Sequence, residues 1–161
     1  RISNIPNDSL NVDLSNCVFY EDLPNMSNFI VRKGDLVIAM SGATTGKTAK
    51  YKEDTMAYLN QRVGIFRSKS SSNKYSFLCQ WIQSDHFANQ LLRILAAGAQ
   101  PNISSTDIEN ITWRYPKNIK EQQKIAFVLS SIDEMIEQYY EKLKALEQHK
   151  KGLMQQLFPQ Q

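Results

Sequence analysis

Gly42-Ala43-Thr44-Thr45-Gly46-Lys47-Thr48 is the stretch of this 161-residue chain whose residue types come nearest to a chemical site. Two glycines, hydroxyls and a lysine directly after an apolar run are the materials of a nucleotide phosphate loop. The spacing argues against that use. Such a loop separates its glycines by four residues so that successive N–H groups can wrap the oxygens, whereas Ala43, Thr44 and Thr45 alone separate Gly42 from Gly46. Thr48-Ala49-Lys50-Tyr51-Lys52-Glu53-Asp54 then lacks the helical stripe that should follow, and no later apolar strand ends in a magnesium-binding Asp. A glycine-bounded turn bearing Thr44, Thr45 and Lys47 still suits the oxygens of a nucleic-acid backbone. Equally, it is a hairpin turn whose lysine faces water. Asn60, Gln61 and Arg62 carry side chains of the kind that hydrogen-bond adenine and guanine edges in a major groove.

Charge sharpens the choice without deciding it. The chain as a whole carries +3, but residues 41–75 hold Lys47, Lys50, Lys52, Arg62, Arg67, Lys69 and Lys74 against Glu53 and Asp54, a local balance of +5. A local excess of this kind is the electrostatic footprint of a phosphate-contacting surface, and a solvated face gives the same count.

Other chemistries find little support. Cys17 and Cys79 form no CxxC pattern and are accompanied by only two histidines, His86 and His149, so neither a disulfide framework nor a zinc site is expected. No Ser/His/Asp arrangement and no cofactor loop points to catalysis. The expectation is a chain with no catalytic residue, no metal and no cofactor, suited to a reducing cytoplasm. No window approaches the roughly 18 consecutive apolar residues of a membrane span, and no membrane partner is expected.

The elements that must position these residues read as one domain and an arm. Residues 1–28, rich in Asn, Ser and Asp, predict short strands and loops. Residues 30–33 and 36–40 predict extended segments around Gly34-Asp35, the second buried on both faces, and residues 48–51 and 58–67 predict further strands. From Tyr75 to Ala97 the period becomes helical and predicts a helix that Gly98 ends in the left-handed conformation. Ser104 to Asp107 reads as a helix start, residues 111–115 as β-like, and Asn118 with Glu121 as the cap of a long helix. Phe77, Trp81, Trp113 and Tyr115 read as core rather than as base-stacking platforms.

The last quarter carries an apolar seam in strict heptad step: Ile125, Leu129, Ile132, Ile136, Tyr139, Leu143, Leu146, then Lys150, then Leu153 and Leu157. Alternating steps of four and three are the period of a left-handed coiled coil. A helix over residues 119–158 would extend roughly 60 Å, beyond what a domain of this size could cover, so the seam requires a partner.

The order of segments resembles the specificity subunit of type I restriction-modification systems. Four stretches carry the resemblance: Gly34-Asp35-Leu36-Val37-Ile38-Ala39-Met40-Ser41-Gly42-Ala43 with Gly46-Lys47; Leu59-Asn60-Gln61-Arg62-Val63-Gly64; Gly98-Ala99-Gln100-Pro101-Asn102-Ile103-Ser104; and Pro116 followed by Glu121-Gln122-Gln123-Lys124-Ile125-Ala126 and Ile132-Asp133. The resemblance implies an α+β target recognition domain over residues 1–117, reading half of a bipartite sequence in double-stranded DNA. It also implies a spacer helix over residues 118–161 that docks the methyltransferase and, in the assembled enzyme, the restriction subunits. Thr44, Thr45, Lys47, Lys50, Asn60, Gln61, Arg62, Arg67 and Lys69 are the expected DNA-binding residues. The seam is expected to pair with a second copy of the chain or with another spacer helix.

A full subunit of that family has two recognition domains and two spacer helices, so this chain resembles the C-terminal half. The usual opening of a recognition domain is expected to be missing ahead of Arg1. The rival readings are a coiled-coil assembly protein whose domain touches only protein, and the nucleotide-binding protein that the loop spacing argues against.

Overall fold

Four consecutive apolar residues, Leu36, Val37, Ile38 and Ala39, are buried without exception, and this run forms the central strand of the molecule. Successive side chains on a strand point to opposite faces. Val37 and Ala39 accordingly join one core with Ile5, Val31, Ala49, Tyr51 and Val63, while Leu36 and Ile38 join another with Cys79, Ile82, Phe87, Leu91 and Ile103. The computed structural model describes residues 1–6, 9–21, 26–67, 72–98 and 102–158.

In chain order the strands are β1 (Ile30–Val31), β2 (Leu36–Ala39), β3 (Thr48–Lys50), β4 (Ala57–Tyr58) and β5 (Val63–Phe66). The helices are α1 (Ser72–Ile82), α2 (Asp85–Ala97), α3 (Ser105–Glu109) and α4 (Ile119–Leu157). Short 3-10 turns occupy Ile2–Asn4 and Ser27–Phe29. β2 lies between β3 and β5, antiparallel to both, with Leu36 opposite Lys50 and Phe66, and Ile38 opposite Thr48 and Gly64. β1 and β4 form a separate antiparallel pair. The fold is α+β, with a mixed domain and a long C-terminal helix.

Several expectations are corrected by local hydrogen bonding. The segment 58–67 is two strands in different sheets, because the Asn60 side-chain carbonyl accepts from the Arg62 N–H at 3.0 Å and turns the chain between them. Residues 75–97 span two helices. Ser84 breaks the stripe: its hydroxyl donates to the Trp81 carbonyl at 2.6 Å and accepts from the Phe87 N–H, capping α2. Gly98 ends α2 with extended backbone, φ −97°, rather than in the left-handed region.

Residues 111–115 form no strand; there Trp113 stacks on Phe77, with ring centroids 5.8 Å apart, and lies 4.5 Å from Trp81. Among the described residues before 28, 3-10 turns and a parallel bridge between Asn11 and Lys50 replace the expected strands. The Tyr75 hydroxyl locks α1 onto the sheet by donating to the Phe66 carbonyl and accepting from the Leu36 N–H, each at 2.9 Å, and burial pushes its pKa up.

The chain separates into two compact units, Arg1–Pro116 and Lys117–Gln161. The second is α4, whose first turn is capped by the Asn118 side chain accepting from the Lys120 N–H at 2.9 Å. Thirty-nine helical residues make a rod of about 58 Å. Ile125 is half-buried, and the other apolar seam residues, from Leu129 to Leu157, are between 40% and 71% exposed.

Candidate nucleic-acid interface

The turn joining β2 to β3 is closed by its own backbone. Ala39 and Lys47 exchange a bond, the Ala39 N–H donating to the Lys47 carbonyl at 2.9 Å, and the Gly46 N–H returns to the Ala39 carbonyl at 2.8 Å. The Lys47 N–H donates to Thr44 at 2.9 Å, the Thr45 N–H to Gly42 at 3.1 Å, and the Thr45 hydroxyl also donates to the Gly42 carbonyl at 2.6 Å. Gly42 and Gly46 sit at φ +86° and +85°, where a side chain would be strained. A Cβ on Gly42 would lie 3.1 Å from Ile2 Cδ1 and one on Gly46 3.4 Å from Leu91 Cδ1, so the turn is wedged between the first 3-10 turn and α2.

This geometry is a hairpin, not a phosphate cradle. The N–H groups of Thr45, Gly46 and Lys47 are occupied by turn carbonyls, and a strand, not a helix, follows. Those three N–H groups are therefore not offered to an anion; of the side chains, Lys47 is exposed while Thr44 and Thr45 are half-buried.

The turn between β4 and β5 reaches the same end of the sheet. The Met40 N–H donates to the Arg62 carbonyl at 2.9 Å, directly beyond the Ala39–Val63 pair, so residues 60–62 lie beside the start of the glycine turn. Asn60 is exposed, but its side-chain carbonyl is already used to shape the turn. Gln61 and Arg62 are exposed at its apex.

A third segment, from which the sequence predicts no DNA-binding residue, completes this end. The Ile103 N–H donates to the Met40 carbonyl at 2.8 Å, and Asn102 bridges antiparallel to Ser41. Ile103 is 4% exposed and anchors the segment in the helix-side core. Ser104 then caps α3 in a reciprocal box: its hydroxyl accepts from the Asp107 N–H, while the Asp107 carboxylate accepts from the Ser104 N–H at 2.9 Å and hydroxyl at 2.7 Å. These two bonds hold the Asp107 carboxyl below the usual Asp range. The Ser-x-x-Asp spacing was a readable signal for the cap; the pairing with Met40 and Ser41 had none. Ser41 Oγ is buried without a hydrogen bond among the described residues.

Lys50 and Arg67 are placed elsewhere. Both lie at the opposite end of the sheet, about 10 Å away along β2, since Lys50 pairs with Leu36 and Arg67 follows Phe66. Lys50 is exposed. Arg67 bonds the Ile30 carbonyl and pairs with Asp35 at 3.7 Å. Lys69 lies outside the described residues, as do Ala99, Gln100 and Pro101 of the third resembling stretch.

Among the described residues no group of three or more His, Cys, Asp or Glu side chains could hold a metal ion. No described helix is long and apolar enough to cross a membrane. Cys17 is exposed, and Cys79 is buried, which pushes its thiol pKa up.

Against known proteins, residues 4–148 match the family model described as the type I restriction modification DNA specificity domain. The chain is also 33% identical over 129 residues to the type I restriction enzyme MjaVIII specificity subunit of Methanocaldococcus jannaschii. That alignment covers 78% of this chain and 30% of the relative, so the chain spans less than a third of the curated protein it matches.

Proposed function

Since the chain belongs to the type I restriction modification DNA specificity domain family, we propose that residues 1–117 bind duplex DNA in a sequence-specific way and read one half of a bipartite target. The observation that supports this most is the meeting of the 41–46 and 60–62 turns at one end of the three-stranded sheet, where Lys47, Gln61 and Arg62 are all exposed. A cation beside exposed amide and guanidinium groups is a pairing that serves both parts of recognition: Lys47 for the backbone, Gln61 and Arg62 for base edges. Asn60 shapes the turn that presents them. Lys50 and Arg67, at the other end of the sheet, meet the same duplex where its axis lies parallel to the strands, since about 10 Å is roughly three base-pair steps. Lys69 is proposed to contact DNA as well.

In this reading the chain is non-catalytic and acts in the cytoplasm. Strand cleavage and methyl transfer belong to the methyltransferase and restriction subunits that it brings to the site, with α4 as their docking surface. α4 also pairs, antiparallel, with a second copy or with another spacer helix through Ile125, Leu129, Ile132, Ile136, Tyr139, Leu143, Leu146, Leu153 and Leu157.

Salt dependence tests the DNA contact. Each phosphate neutralised adds about −0.9 to the slope of log affinity against log salt, so Lys47→Ala is expected to reduce the slope by about 1. An unchanged slope and affinity would remove Lys47 from the interface. Changes at Gln61 and Arg62 are expected to alter base preference; loss of stability without altered preference would make them structural.

A further inference from the structure

We propose that Asn102 is a DNA-backbone contact that shares its stretch of phosphates with Lys47, a role that rests on this end of the sheet being the DNA surface. The bridge to Ser41 sets Asn102 one residue from the start of the glycine turn. Met40 links all three segments: its N–H donates to Arg62, and its carbonyl accepts from Ile103, the neighbour of Asn102. Asn102 is therefore beside both turns, and its side chain is exposed there.

Its support comes from the bridge to Ser41 and from the two residues that follow it. Ile103, on one side, is sunk in the core formed with Leu36, Ile38, Phe87 and Leu91. Ser104 follows, locked to Asp107 by the reciprocal cap. A residue held this way keeps its position whichever sequence is bound, which suits register-setting contacts to the backbone more than adaptable reading of bases. An Asn amide can donate to phosphate oxygens without adding charge.

The experiment uses the full chain and a duplex enriched by it from a random pool. Asn102→Ala is expected to weaken binding about tenfold, as for loss of a hydrogen bond to a charged group. The loss should be uniform across base-substituted duplexes, with the salt slope unchanged, whereas Lys47→Ala lowers the slope. Single methylphosphonate replacements along the duplex then locate the contact. One of them should weaken the wild type and leave the Asn102→Ala protein unaffected.

Affinity within twofold of wild type, while Lys47→Ala still lowers the slope, would overturn the role of Asn102 and leave the DNA surface standing. A general loss with the wild-type pattern of phosphate sensitivity would make Asn102 structural and overturn it as well. A shifted base preference would overturn the backbone assignment in favour of base reading. A wild type that binds no duplex would bring down this inference together with the reading beneath it.

Discussion

Leu143 is 52% exposed and Ile136 40% exposed on the seam of α4, and replacing both by Asp should abolish self-association of the chain. Fully burying such a side chain is worth roughly 1.5 to 3 kcal/mol, and about half of each remains to be buried, or roughly 1 kcal/mol apiece. A symmetric pair contains each residue twice. The double variant therefore forfeits at least about 4 kcal/mol, before any cost of placing carboxylates in an apolar seam, which corresponds to about three orders of magnitude in dissociation constant. Both sites lie well inside α4, in the unit Lys117–Gln161, so the unit Arg1–Pro116 should unfold at its ordinary temperature. Sedimentation equilibrium from low to tens of micromolar reads the result. A wild type that stays monomeric throughout, without partner subunits, would refute the reasoning, as would a double variant that associates equally well.

Smaller perturbations test the scaffold. Ser84→Ala removes the hydroxyl that separates α1 from α2, and should lower stability by about 1 kcal/mol in denaturant unfolding. Gly64→Ala should cost about 1 to 3 kcal/mol, because the new Cβ would lie 2.9 Å from Met40 Sδ and 3.0 Å from the buried Ile38 Cγ2. Asp107 has a folded pKa held below its unfolded value, so its contribution is present above the unfolded value and is lost as pH falls through the folded one. Carboxyl titration by NMR should show that value rising in Ser104→Ala, and the stability difference between the two proteins should shrink in acid to the part due to the lost cap on the Asp107 N–H. A fluorescent nucleotide with magnesium should show no saturable binding, since the turn between β2 and β3 has its own carbonyls on the N–H groups of Thr45, Gly46 and Lys47.

What the sequence revealed depended on how local the cause was. The buried run at β2, the cap at Asn118 and the box at Ser104 are set by neighbours a few residues away, and each was legible. The length of α4 followed from a heptad seam that only Lys150 breaks. The break at Ser84 was hidden because Trp81, Phe87 and Leu91 continue an apolar stripe across it, and a single hydroxyl bonding Trp81 outweighed that period. Residues 111–115 have strand-forming types, yet Trp113 finds its partners in Phe77, Trp81 and Tyr115 rather than in a ladder.

The candidate site was legible as residues but not as a place. Lys47, Gln61 and Arg62 could be named from type, whereas their meeting depends on Met40 bonding Arg62 on the one hand and Ile103 on the other. Pairing between segments so far apart along the chain leaves no local trace, which is why Asn102 is not among the DNA-binding residues expected from the sequence and why Lys50 and Arg67 are grouped there with residues at the other end of the sheet.

Selection from a pool of random duplexes tests the central claim most directly. The full chain, alone and with the methyltransferase subunit, is incubated with the pool, and bound duplexes are recovered and sequenced. Sequence-specific recognition predicts enrichment of one short half-site, or of its symmetric repeat where two copies pair through α4. Recovered duplexes with the base composition of the starting pool, in both arms, would contradict it and leave the domain a surface for protein alone.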